Sequence, residues 1–90
     1  LARHERTFVI VNALGLHARA AAQLVQLANR FRSEVHVEKD GTQVNGKSIM
    51  GVLTLAAAKG TEISVCVEGA DADDAMAALA KLIENGFGET

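Results

Sequence analysis

Glu34-Val35-His36-Val37-Glu38-Lys39-Asp40-Gly41-Thr42-Gln43-Val44 is the stretch that decides the fold. Its first five residues alternate polar and apolar, the period of a strand with one face buried. Asp-Gly is a strong two-residue hairpin signal, so Thr42 to Val44 should return antiparallel. A strand with one apolar face belongs to a sheet covered on one side only. The same alternation recurs in Glu62-Ile63-Ser64-Val65-Cys66-Val67-Glu68, which places Ile63, Val65 and Val67 inward and is ended by Gly69.

Working outward, residues 6 to 12 read as the first strand, rich in β-branched residues, with Val9 and Val11 on one face. Residues 13 to 16 form a loop hinged on Gly15. From Ala18 to about Phe31 the apolar positions Ala21, Leu24, Ala28 and Phe31, widened by Val25 and Leu27, make a helical stripe. Arg19, Gln23, Gln26 and Arg30 fall on the other side. Asn45-Gly46 breaks the returning strand, and Ser48 opens a short helix through about Leu53. Residues 54 to 60 connect to the last strand. Asp71, supported by Asp74, is the expected N-cap of a final helix running to about Asn85, with Ala75, Met76, Leu79, Leu82 and Ile83 inward and Gly86 at C′. The order is β-α-β-β-α-β-α. It predicts an α+β two-layer open-faced sandwich: a largely antiparallel four-stranded sheet with three helices on one face.

Ninety residues predict a single domain, spanning 1–90, with one modest core. Nine basic and eleven acidic side chains give a net charge of -2, which argues against binding nucleic acid through its phosphates. Three phenylalanines and no Trp or Tyr argue against a base-stacking platform. Cys66 is the only cysteine, so no internal disulfide or cysteine zinc site can form, and a reducing cytoplasmic setting is expected. No apolar run reaches the roughly 18–20 residues of a membrane span, so no direct membrane insertion is expected. Leu1 to Arg6 is followed by no hydrophobic core of signal-peptide type, and His4 is expected in a tail. The first residue is Leu1 rather than Met, as expected of a trimmed start or a domain cut from a longer chain.

Gly15-Leu16-His17-Ala18-Arg19-Ala20-Ala21 carries the chemistry. Strand, glycine turn, histidine and helix together put an imidazole where an anion is stabilised. Attack on a phosphoryl group requires a ring nitrogen with a free lone pair, which the imidazole can supply. The unpaired N–H groups of Ala18, Arg19 and Ala20 would face the phosphoryl oxygens, and Arg19 would add a charged fork. Neither cofactor nor metal is needed. A histidine that merely opens a helix remains the competing reading, and alone it is the stronger one.

Asn45-Gly46-Lys47-Ser48-Ile49-Met50-Gly51-Val52-Leu53 is the second motif. Ser48 is explained by capping; it is also a position where added phosphate is tolerated. Ile49, Met50 and Leu53 lie on a helix too short to bury them all, which would leave a docking patch. His4, in the expected tail, and His36, off the valine face, form no metal set with His17. Cys66 falls on the outer face as a small packed residue, and Asp73 and Asp74 decorate a helix start.

Together the two segments, from about Arg6 to Glu84, resemble the HPr family, the histidine-containing phosphocarrier proteins of the bacterial phosphoenolpyruvate-dependent sugar phosphotransferase system. Gly15-Leu16-His17-Ala18-Arg19 resembles its active-site signature, and Asn45-Gly46-Lys47-Ser48-Ile49-Met50-Gly51 its serine-site signature. The resemblance implies a carrier rather than an enzyme. His17 would take a phosphoryl group on Nδ1 from phosphorylated enzyme I and pass it to EIIA proteins or domains, with Arg19 as partner of the phosphate. Ser48 would match the serine modified by HPr kinase/phosphorylase. Ile49, Met50 and Leu53, with Ala22, would match part of the docking surface, and a monomer is expected. Two alternatives stay open: a nitrogen-branch regulatory paralogue, and a non-carrier interaction module controlled at Ser48. Ala20 stands where the family commonly has proline, and so keeps an N–H that proline removes.

Overall fold

A computed structural model describes residues 1–89. Its elements are β1 (Ala2–Val9), α1 (Ala18–Ala28), β2 (Glu34–Lys39), β3 (Thr42–Asn45), α2 (Ile49–Thr54), β4 (Glu62–Gly69) and α3 (Ala72–Glu84), followed by a short 3-10 turn (Gly86–Gly88). The strands form one antiparallel sheet in the order β1-β4-β2-β3. α3 lies over β1 and β4, and α1 packs beside α2 and α3. The core sits between sheet and helices: Phe8, Ile10, Val35, Val37, Ile63, Val65 and Val67 from the sheet side meet Leu24, Val52, Leu79 and Ile83 from the helices. The β-α-β-β-α-β-α sandwich expected from the alternation is the one observed.

Four boundaries differ, each for a local reason. The first strand begins at Ala2 rather than at residue 6, so His4 lies in a strand and not in a tail. β4 needs partners along its free edge, and Ala2 to Val9 supply them from Gly69 to Glu62. The charges fit because the strand presents long side chains: Arg6 lies 4.8 Å from the Phe8 ring centre and reaches Glu84 at 3.4 Å, while His4 meets Asp73. At its other end the buried residues are Phe8 and Ile10. β1 ends at Val9 rather than at residue 12, so Val11 lies beyond the strand, and both valines expected on one strand face are half-exposed. α1 stops at Ala28, three residues early, because the Asn29 amide donates to the Val25 carbonyl at 2.9 Å and Arg30 N–H turns back to Leu27 O. β3 extends to Asn45, which pairs with His36.

Asp71 stands at the N-cap of α3, yet its side chain caps nothing there. The carboxylate instead accepts from the backbone N–H groups of Arg32 and Ser33, both at 2.9 Å, and from the Ser33 hydroxyl. It thereby ties α3 to the turn that enters β2. The Ser33 hydroxyl, then the Arg32 N–H, lowers the Asp71 carboxyl to about 2 from an ordinary 3.8. Because the folded value is the depressed one, the stabilisation is present above pH about 4 and lost as pH falls towards 2. Thermal melts of the wild type and Asp71→Asn should therefore differ at pH 6 and converge near pH 2. A gap that stays constant across that range would refute this linkage.

Candidate functional site

The loop between β1 and α1 is pinned from two sides. Ile10 N–H donates to Thr61 O and Gly60 N–H to Ile10 O, at 2.9 and 2.8 Å. Leu16 N–H donates to Ala57 O at 2.8 Å, and Gly15 N–H closes a turn onto Asn12 O at 3.1 Å. Gly15 has φ +64°, and a Cβ there would lie 2.3 Å from Ala57 O. This close approach delivers His17 to the N-cap of α1, where its backbone is extended, its carbonyl accepts from Ala21 N–H, and its side chain makes no cap hydrogen bond.

The ring is 28% exposed, in a shallow cleft lined by Leu14, His17, Arg19, Gln23, Phe87 and Glu89. Ala18 and Arg19 are exposed at the start of the helix; Ala20 is fully buried, so its N–H is shielded from the cleft. Arg19 is one of the cationic influences on Glu89.

Glu89 is the residue that sequence reasoning missed. Its carboxylate meets His17 Nε2 and also accepts from Asn12 Nδ2 at 3.1 Å. Asn12 is 5% exposed and donates to Gly15 O at 2.8 Å as well, so one amide braces both loop and tail. The hydrogen bond with His17, then that with Asn12, holds the Glu89 carboxyl below its ordinary value. The visible signal in the chain was the pair Gly86 and Gly88, residues suited to positive φ; where they would send Glu89 was not readable. Leu14, 69% exposed beside His17, was also missed, since a loop leucine has no periodic context.

Ser48 is the N-cap of α2, and its Oγ accepts from Gly51 N–H at 3.2 Å, so the capping reading holds. Ile49 and Met50 are exposed, Met50 as much as Leu14, while Leu53 and Ala22 are half-buried, Leu53 against the core. His36 pairs with Cys66 across the open face of the sheet, and His4 lies in β1, far in register from the loop that carries His17. Among the described residues, no helix is long and apolar enough to cross a membrane.

The family model described as "PTS HPr component phosphorylation site" matches residues 4–85. The phosphocarrier protein HPr of Neisseria meningitidis serogroup A is 53% identical over 85 residues, 94% of this chain and 96% of the relative. A crystal structure described as HPr-C-His from Thermoanaerobacter tengcongensis superposes with a TM-score of 0.93 at 47% identity, covering 97% of this chain and 98% of that one. A structure described as an HPr dimer from the same organism gives a TM-score of 0.78 at 48% identity, covering 96% and 99%. With the fold, the loop-to-helix histidine and these matches agreeing over nearly the whole length, the chain belongs to the HPr family of phosphocarrier proteins of the phosphotransferase system.

Proposed function

We propose that this chain, acting as a single HPr-like domain over 1–90 in the cytoplasm, accepts a phosphoryl group on Nδ1 of His17 from phosphorylated enzyme I and passes it to EIIA proteins or domains during sugar uptake or its regulation. The observation that carries this reading is the placement of His17: a part-exposed imidazole at a helix N-cap, two residues from Arg19, at the surface rather than in a closed pocket. A phosphoryl group on Nδ1 would find the N–H groups of Ala18 and Arg19, both exposed residues at the helix start, and the Arg19 guanidinium. The Ala20 N–H would come into play only if the helix start opened. A shallow site suits a group that must be handed between proteins, and exposed Leu14, Ile49 and Met50 offer apolar area for either partner. Ala22 and Leu53 would extend that area. The carrier would work as a monomer, with the cleft uncovered between encounters.

Mixed with phosphoenolpyruvate and enzyme I, the protein should take up one acid-labile, alkali-stable phosphate and lose it to an EIIA protein. No uptake under conditions that load another HPr would refute the reading.

Ser48 supports a second, regulatory layer. Its hydroxyl already faces the start of α2, between Lys47 and the exposed Ile49 and Met50. Phosphate added there by HPr kinase/phosphorylase would place charge at the edge of the docking area and weaken apolar association. An ATP-dependent, acid-stable phosphate on Ser48, absent from Ser48→Ala, is the expected result.

A further inference from the structure

The tail beyond α3 is built for a purpose that helix termination does not require. Gly86, Phe87 and Gly88 all have positive φ, at 62°, 57° and 75°. For Phe87 this is a costly conformation, since a bulky L residue rarely occupies it. The compensation is burial: the Phe87 side chain is sunk to 3% exposure, and Glu89 N–H closes onto Gly86 O at 3.0 Å. The chain is thus doubled back so that Glu89, 72 positions away from His17 in sequence, arrives on the imidazole. Asn12, buried and held by Gly15 O, fixes the other carboxylate oxygen. A tail that served only to end the helix would need neither the strained Phe87 nor a partner on each oxygen of the Glu89 carboxylate.

The contact is to one ring nitrogen, Nε2, and a carboxylate can only accept. From this geometry we infer that Glu89 is a positioning residue for phosphoryl transfer: it keeps the His17 proton on Nε2 and leaves the lone pair on Nδ1. The hydrogen bond made by one imidazole nitrogen decides the protonation of the other. Nδ1 makes no side-chain hydrogen bond to the helix N-terminus and is free to react. In the transfer step, the Nδ1 lone pair forms the bond to phosphorus. The bond from phosphorus to the donor breaks, and its electron pair leaves with the donor. His17 gives up no proton, and the positive charge that develops on its ring faces the Glu89 carboxylate. The two anions sit on opposite edges of the imidazole. A carboxylate that orients a histidine and stabilises its cation in this way acts as the aspartate of a serine-protease triad does.

The catalytic consequence rests on the carrier reading of His17 given above; the tautomer does not. Both are tested with the whole chain labelled with ¹⁵N at histidine. Nitrogen–proton correlation spectra of the wild type should show His17 protonated at Nε2, with that proton protected from solvent exchange. In Glu89→Ala the protection should vanish, and the rate of phosphoryl acceptance from enzyme I should fall about 10-fold, as for other groups that orient a functional histidine. Glu89→Gln, which keeps an acceptor of the same length, should recover part of both. A proton found on Nδ1 in the wild type, or an exchange rate and acceptance rate unchanged in Glu89→Ala, would overturn the inference. If the protected Nε2 proton disappears in Glu89→Ala while the wild type accepts no phosphoryl group, the tautomer assignment stands and the carrier reading falls.

Discussion

Replacing His17 with alanine should remove phosphoryl acceptance altogether. In the proposed function the ring nitrogen is the acceptor itself, and no neighbouring group would substitute: Arg19 is a cation and Ser48 caps another helix. The expected result is no acid-labile label after incubation with phosphoenolpyruvate and enzyme I. The fold should survive, because His17 contributes its backbone carbonyl to α1 through Ala21 N–H, and alanine keeps that bond. The side chain makes no capping hydrogen bond, so the cost to stability should be small, limited to the lost contact with Glu89. An unchanged circular dichroism spectrum beside zero label is the combined signature. Residual nitrogen-bound phosphate in His17→Ala would move the acceptor to His4 or His36 and refute the site.

Gly15→Ala should be the most damaging single-methyl change near the site. Two costs add. Alanine at φ +64° is strained, and its Cβ would lie 2.3 Å from Ala57 O and 2.9 Å from Ala58 Cα, both backbone. Backbone cannot rotate away, so the loop must shift. A loss of about 3 kcal/mol is expected, equivalent to a fall in Tm of roughly 10–20 °C for a domain of this size. Gly41→Ala is the control. Its φ is +82°, but nothing lies within 4 Å of the added carbon, so only the backbone strain of about 1 kcal/mol remains. At a temperature where both variants are folded, Gly15→Ala should also transfer phosphate more slowly, because the bond from Leu16 N–H to Ala57 O that sets His17 is displaced. Equal melting temperatures for the two variants would show that the loop relaxes freely.

How much was legible can be followed through single elements. The hairpin from Glu34 to Asn45 needed only alternation and Asp40-Gly41, because side-chain direction in a strand has a period of two and the turn residues carry their own geometry. The same rule located β4 to within a residue. β1 was half-read. Arg3-His4-Glu5-Arg6 carries no apolar period, and its strand state is imposed by the unpaired edge of β4. Asp71 was placed at the right helix end but with the wrong partner, since a carboxylate at an N-cap has two uses and only the approach of Arg32 and Ser33 chose between them. His17 and Ser48 were legible because helix N-termini have local chemistry: both sit where the chain says a helix begins.

The sequence by itself determined the element order, the one-sided sheet, the two helix-start residues and the apolar positions left over on α2. Each of these is written in contacts between residues a few positions apart. Tertiary structure alone decided that the charged N-terminus completes the sheet, that Ala20 is shielded while Leu14 is exposed, and that Glu89 returns to the His17 ring. Those depend on distant segments meeting in space. A period or a cap can announce that a residue is available, but which residue meets it is settled only when the burial of Phe87, the bracing amide of Asn12 and the edge of β4 are satisfied together.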